Sequence, residues 1–320
     1  MRLHGISPVV LLLCFLVIGA AAFALGRRSA RGRRVRLNVD YFAGLDHLVN
    51  DRFDRATEVF TRLATKSQEA EIQFALGSLM RKRGEVDRAI AIHTGLAEHA
   101  ELAVREQATY ALGLDYMSAG LLDRAEEKLR SLMASANYRA AVLERLAWVY
   151  EQQRDWRAAL DIWRELPAEQ RRERATVAAH YCCELGEAAL AAGDLEGART
   201  QLAAARVHAP EGARVLMLAA RIAAATEGDA HKALELYTRA LGASRTIHDA
   251  FLQEAHDALK SQAAELDARL RAELKEDLAP PPTSARFRCD QCGVASVTWH
   301  WRCPSCRSWD SLQSVNNRSL

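Results

Sequence analysis

The 320-residue sequence predicts an all-α protein: a stack of helical hairpins with an apolar helix ahead of it and a four-cysteine metal ribbon behind it. Three observations carry this expectation. Residues 9–279 hold only two prolines, Pro167 and Pro210, in a stretch dominated by alanine, leucine, arginine and glutamate. Proline costs a helix interior about 3 kcal/mol, and those four residues are good helix formers. A short motif centred on one alanine recurs six times, and two Cys-x2-Cys pairs close the chain. An apolar content of 49% fills a sizeable core, so a disordered chain is excluded, as are an all-β fold and a disulfide scaffold.

The first element spans residues 1–26. Pro8 to Leu25 carries no charge, and with Gly5 to Ser7 the apolar run reaches about 20 residues, enough to cross a hydrocarbon core of roughly 30 Å. Arg2 alone precedes it, whereas Arg27, Arg28, Arg31, Arg33, Arg34 and Arg36 follow within residues 27–37. That asymmetry predicts a retained anchor with its N-terminus outside and the bulk of the chain in the cytoplasm. A cleaved signal peptide is the competing reading, and the six arginines past the cleavage point argue against it.

Net charge divides in the same way. The formal +2 averages +7 over residues 1–37, about −8 over 38–279 and +3 over 280–320. An acidic body is poorly suited to gripping a phosphate backbone, so no nucleic-acid partner is expected.

Residues 38–245 form the repeats. The alanines at 56, 89, 125, 159, 198 and 233 sit 33 to 39 residues apart. Five residues before them stand Asp51, Gly84, Gly120, Arg154, Gly193 and Gly228; twelve before them stand Gly44, Gly77, Gly113, Ala147 and Gly186. The sixth unit breaks the latter pattern with Arg221. Small residues let antiparallel helices approach closely, and a glycine at positive φ ends the first helix of each hairpin. About six such units resemble the tetratricopeptide repeat, with Leu112, Gly113, Tyr116 and Ala125 matching its motif in the third. The resemblance implies a protein-binding groove lined by first helices: Phe74, Ser78, Arg81 and Lys82, then Tyr110, Leu114 and Met117, then Glu144, Trp148 and Glu151. Aromatics at this spacing more often serve as packing between repeats than as contacts.

Residues 246–279 lose the punctuation and read as capping helices, and Pro280–Pro282 open a stiff linker over 280–286. Residues 287–320 follow. Cys289, Cys292, Cys303 and Cys306 form two knuckles separated by ten residues, the pattern of a tetrahedral S4 site for one zinc or iron ion. Gly293 permits the first knuckle's turn. The segment is too short for a core of its own, so metal binding supplies its folding free energy and Trp299, Trp301 and Trp309 dock it on the repeats. Cys182 and Cys183 have no matching pair and read as packing residues, while the scattered histidines, His180 among them, read as surface or inter-hairpin residues.

Taken together, Gly26-Arg27-Arg28-Ser29-Ala30, Arg83 through Ile90, Asp115-Tyr116-Met117, Asp123-Arg124-Ala125-Glu126 and the Arg288–Arg307 knuckle residues resemble the lipopolysaccharide-assembly B family of Gram-negative inner-membrane tetratricopeptide proteins. The resemblance implies a rubredoxin-like terminal domain ligating through Cys289, Cys292, Cys303 and Cys306. It implies a membrane-tethered adaptor that promotes degradation of the lipid A pathway deacetylase by a membrane-anchored AAA+ metalloprotease. It further implies contact with other lipopolysaccharide synthesis and transport proteins, and it is compatible with a homo-oligomer. This chain is shorter than the family's pattern, between the sixth unit and the ribbon. No nucleotide loop, nucleophile elbow or zinc-hydrolase motif occurs, so no enzymatic activity is expected. Rubredoxin-like electron transfer, a repeat scaffold with another client and nucleic-acid binding by the ribbon are the alternatives.

Overall fold

Each of the six recurring alanines is fully buried, which places the repeat motif where two helices of a hairpin close on one another. The computed structural model describes residues 39–226, 230–243, 246–247, 250–251, 254–255, 258 and 287–315. The expected anchor, the juxtamembrane arginines, Gly228, the linker and most of the capping segment lie outside the described residues. Among the described residues no helix is long and apolar enough to cross a membrane. The chain divides between Ala119 and Gly120 into two compact units.

The first unit holds α1 (Val39–Val49), α2 (Phe53–Lys66), α3 (Ala70–Lys82), α4 (Val86–Ala97) and α5 (Leu102–Ser118). Gly44 of α1 accommodates Phe60 of α2: a Cβ there would lie 2.7 Å from Phe60 Cε2. Gly77 of α3 does the same for His93 of α4, with a Cβ placed 2.5 Å from His93 Nε2. His93 is fully buried, its Nδ1 2.5 Å from Asp115 Oδ2, and Asp115 also accepts from Arg81 at 2.6 Å. Arg81 and Phe74, expected to face a groove, are therefore partly committed to packing: Phe74 is half-buried and stacked on His93 at 5.9 Å.

In the second unit come α6 (Leu122–Arg130), α7 (Arg139–Gln153), α8 (Trp156–Glu165), α9 (Ala168–Glu173), α10 (Ala175–Ala191), α11 (Leu195–His208), α12 (Ala213–Ala224) and α13 (Ala230–Gly242). Gly186 of α10 lies against α11 and α12; a Cβ there would stand 2.7 Å from Leu218. The described part of the capping segment, including Thr246, Ile247, Ala250 and Phe251, is helical.

Helix ends follow the local chemistry. Gly84, Gly120 and Gly193 take φ of 79°, 72° and 78°, and Asp51 and Arg154 take 55° and 58° at the equivalent places. After α3, α7 and α10 the next amide reaches back to Met80, Tyr150 and Ala189, closing the left-handed terminus that satisfies otherwise orphaned carbonyls. The side chains of Asp155 and Asp194 accept from the amides of Ala158 and Gly197 and cap α8 and α11.

The ribbon is a three-stranded antiparallel sheet in the order β2-β1-β3, with β1 at Phe287–Cys289, β2 at Ala295–Ser296 and β3 at Leu312–Ser314. Phe287 pairs with Ser296 on one side and Ser314 on the other, and Cys289 pairs with Leu312. Its own core is four residues, Phe287, Cys289, Cys303 and Leu312, extended by Ala250, Val294 and Trp299.

Candidate metal centre

Two knuckles of one design bring four sulfurs together. In the first, the Gly293 amide donates to the Cys289 carbonyl at 2.9 Å and the Cys289 amide to the Val294 carbonyl at 2.9 Å. In the second, the Arg307 amide donates to Cys303 at 3.0 Å and the Cys303 amide to Ser308 at 2.9 Å. Gly293 has φ 74° and Arg307 has φ 65°, so an arginine holds in the second knuckle the left-handed position that glycine holds in the first. Residue type marks this position at Gly293 and gives no sign of it at Arg307.

Cys289, Cys292, Cys303 and Cys306 present ligand atoms that all lie within 4.8 Å of one another. Cys289 and Cys306 are 3.6 Å apart, and Cys292 and Cys303 are 3.7 Å apart. A disulfide requires about 2.05 Å, whereas an ion held at about 2.3 Å from four tetrahedral sulfurs sets them about 3.8 Å apart. The donor set fits a tetrahedral ion and not two disulfides. Burial raises the Cys289 thiol, but hydrogen bonding with Ser311 and the Cys292 and Gln291 amides outweighs it and brings the group down to about 6. Cys303, buried more deeply in the ribbon core, is pushed up to about 11.

The second knuckle is also the docking edge. Arg302 donates to the Glu151 carbonyl oxygen at 2.8 Å and to its carboxylate at 2.7 Å. Tyr181 donates to the other Glu151 oxygen at 2.5 Å, and Trp309 Nε1 to the same oxygen at 3.3 Å. Burial first, then the Glu151 charge, raises the Tyr181 hydroxyl well above its ordinary range. His180 stacks on Trp309 at 4.6 Å with its Nε2 2.7 Å from Asp310 Oδ2. Arg214 lies over the rings of Trp301 and Trp309 at 5.5 and 5.7 Å, and Phe251 stacks on Trp301 at 5.3 Å.

Beneath this surface runs a chain of ion pairs. Arg214 bonds Glu184 at 2.8 Å and Glu187 at 3.0 Å; Arg221 bonds Glu187 at 3.0 Å and Glu254 at 2.6 Å. Burial opposes the Arg214 charge, yet Glu187 and Glu184 outweigh it and raise the group. Arg221 at a position of recurring small residues is the one sequence signal of this network; nothing marks Arg214, and His180, expected at a helix surface or between hairpins, is buried beneath the ribbon's Trp309. The three tryptophans dock as expected. Cys182 and Cys183 are buried packing residues, as expected, with thiols that burial pushes up to about 11 and about 12. Of the anticipated groove residues in this unit, Glu151 is committed to the ribbon. Glu144 and Trp148 line a cavity of about 350 Å³ whose wall includes the ribbon's Trp309.

A helical repeat array carrying a four-cysteine ribbon defines the class of architecture to which this chain belongs, a repeat protein with a metal-binding module. A family profile for tetratricopeptide repeats matches residues 41–94 and 183–246, and one described as a rubredoxin metal binding domain matches residues 287–314. From end to end the chain is similar to lipopolysaccharide assembly protein B. It is 29% identical to the protein of that name from Escherichia coli K12, covering 95% of this chain and 98% of the relative. It is 23% identical to the Haemophilus influenzae protein, covering 97% and 99%. The Escherichia coli alignment runs over 381 positions, more than the 320 residues of this chain. Among solved structures, the C-terminal part of a tetratricopeptide-repeat protein from Cytophaga hutchinsonii aligns at TM-score 0.47 and 15% identity, covering 74% of this chain and 96% of that one.

Proposed function

We propose that this chain is a membrane-tethered adaptor in lipopolysaccharide assembly and its regulation. The observation that carries the reading is the end-to-end likeness to lipopolysaccharide assembly protein B, joined to a ribbon seated directly on the repeats. Residues 1–26 anchor the chain in the inner membrane with the N-terminus periplasmic, an orientation set by the arginines of residues 27–37. Residues 38–245 present clients, 246–279 cap the array, and 280–286 lead into the metal-binding domain at 287–320. Tethering raises effective concentration, so modest groove affinity suffices to deliver a client. The clients are the lipid A pathway deacetylase and a membrane-anchored AAA+ metalloprotease, with other lipopolysaccharide synthesis and transport proteins.

Cys289, Cys292, Cys303 and Cys306 hold one iron or zinc ion. Bound there, the ion would crosslink the two knuckles through these four sulfurs. The protein's own residues do the rest: Arg302, Trp309 and Asp310, beside the second pair of cysteines, seat the ribbon on Glu151 and His180.

Depleting the protein tests the reading. The half-life of the deacetylase lengthens if the chain promotes its proteolysis, and an unchanged half-life overturns the proposal.

A further inference from the structure

A cavity of about 350 Å³ opens where α7, α8 and α10 meet the ribbon. Four aromatic rings line it, Trp148, Trp163, Tyr181 and Trp309, together with Leu166 and Val177. Tyr181 and Leu166 are buried and make its floor, whereas Trp163, Val177 and Trp309 are half-buried and line it with accessible surface. Trp163 meets His208 at 4.7 Å, and Tyr181 meets Trp309 at 6.1 Å. Trp148 differs from these: it is 38% exposed and makes no hydrogen bond or ring contact among the described residues. Tryptophan is highly buried on average, and the few residues that dominate protein interfaces are enriched in it.

The walls and the rim together define a ligand. Indole and aliphatic surface around the space suits a large apolar side chain. The volume lies at the lower end of the roughly 300–1,000 Å³ range of ligand pockets, so it takes one bulky group. The lining acids are Glu144 and Glu151, and the lining arginines are Arg145 and Arg174. Arg302 holds Glu151 at 2.7 Å, so three cations stand against two acids. Arg174 makes no side-chain hydrogen bond among the described residues, and its ion-pair partner Glu144 lies 3.6 Å away, with the two side chains 44% and 51% exposed. A guanidinium and an indole N–H can only donate, so the polar part of the ligand is an acceptor, and the positive balance favours a carboxylate. Trp148 and Val177 belong to α7 and α10, the first helices of successive hairpins, which is the surface assigned above to clients.

We infer that this cavity binds a large apolar side chain flanked by acidic residues, carried by a segment of a partner protein, and that the docked ribbon supplies one of its walls. Seating of the ribbon on Glu151 therefore completes the site. The inference rests on the reading of the array as a presenter of clients, and the two fail separately: the deacetylase half-life is followed in cells lacking the whole chain, and this binding on the purified protein.

The test labels the full, metal-loaded chain with fluorotryptophan and follows the Trp148 and Trp309 signals by nuclear magnetic resonance. The probe is an acetylated, amidated pentapeptide with phenylalanine at its centre, aspartate on either side and alanine at the ends. Saturable shifts of both signals are expected. Replacing the aspartates with lysines, or the phenylalanine with alanine, should weaken binding at least about tenfold. Trp148→Ala should abolish the Trp309 shift while helicity and melting temperature stay unchanged, because the Trp148 side chain is exposed. Trp309→Ala should weaken the binding seen at Trp148 at least about tenfold, whether or not the ribbon stays seated. Absence of saturable shifts, equal binding of the lysine or alanine peptide, or full binding by Trp148→Ala overturns the site. Full binding by Trp309→Ala overturns the ribbon's part in it. Phenol binding as tightly as the pentapeptide would assign the cavity to a small free ligand and overturn the protein partner.

Discussion

Arg302 grips Glu151 twice, through the carboxylate at 2.7 Å and through the backbone carbonyl at 2.8 Å, across 151 residues of sequence. The two side chains are only 12% and 14% exposed. This pair joins the ribbon to the end of α7, and Tyr181 and Trp309 complete the coordination of the same carboxylate.

Breaking the pair from one side leaves a buried charge. Arg302→Met or Glu151→Gln should weaken docking by about 3 kcal/mol, the lower end of the cost of orphaning one partner of a buried ion pair. Hydrogen exchange of the ribbon amides and of residues around His180 should speed up together, while the first unit's amides keep their protection. Unchanged exchange in both variants would remove this pair as the clamp.

Removing the metal should act on the same seam. A four-residue core cannot hold three short strands, so chelation or Cys289→Ser should unfold the ribbon. Near-ultraviolet circular dichroism should fall as Trp299, Trp301 and Trp309 lose their packing, while far-ultraviolet helicity persists. Retention of the tryptophan signal after complete metal loss would contradict this. The visible spectrum before chelation separates iron from zinc.

Cys182 and Cys183 give the array an alkaline limit. Their folded thiols are raised from 9.0 to about 11 and about 12, chiefly by burial. Above pH 9 the unfolded chain loses these protons while the folded chain keeps them, so stability falls as pH rises through that window. The loss approaches about 1.4 kcal/mol per pH unit for Cys183. Denaturant midpoints measured from pH 8 upward should fall less steeply in Cys183→Ala than in the wild type. Parallel slopes would dismiss the thiol as the cause.

Gly77 and Arg154 make a contrasting pair. A Cβ at Gly77 meets His93 Nε2 at 2.5 Å, and Asp115 on the opposite nitrogen keeps the ring from backing away. Gly77→Ala should therefore cost about 1–3 kcal/mol, the range of overpacked cores. Arg154 sits at φ 58°, where a side chain is strained, so Arg154→Gly should be neutral or stabilising by up to about 1 kcal/mol. Chemical denaturation of each variant decides both, and a silent Gly77→Ala would show that the hairpin relaxes around His93.

Much of the architecture was legible because it repeats locally. Alanine and glycine spacing marked the hairpin contacts, and all six alanines are fully buried. The tight turns were readable wherever glycine makes them, and also at Asp51 and Arg154, because the repeat register carries the position even when the residue type does not. The four cysteines were readable for the same reason: a knuckle is a local turn, and its chemistry lies within five residues.

The amino-acid sequence by itself determined the faces, meaning which residues turn inward, where each hairpin closes and which sulfurs can share an ion. Only the tertiary structure decided the partners. Glu151 belonged, by resemblance to other repeat arrays, to an open groove, His180 read as a surface or inter-hairpin residue, and Arg214 carried no mark, yet the three together seat the ribbon. Their contacts join residues roughly 90 to 160 positions apart. Such pairings depend on how successive hairpins rotate and where the ribbon comes to rest, and local periodicity holds no record of either, since each repeat specifies only its nearest neighbours.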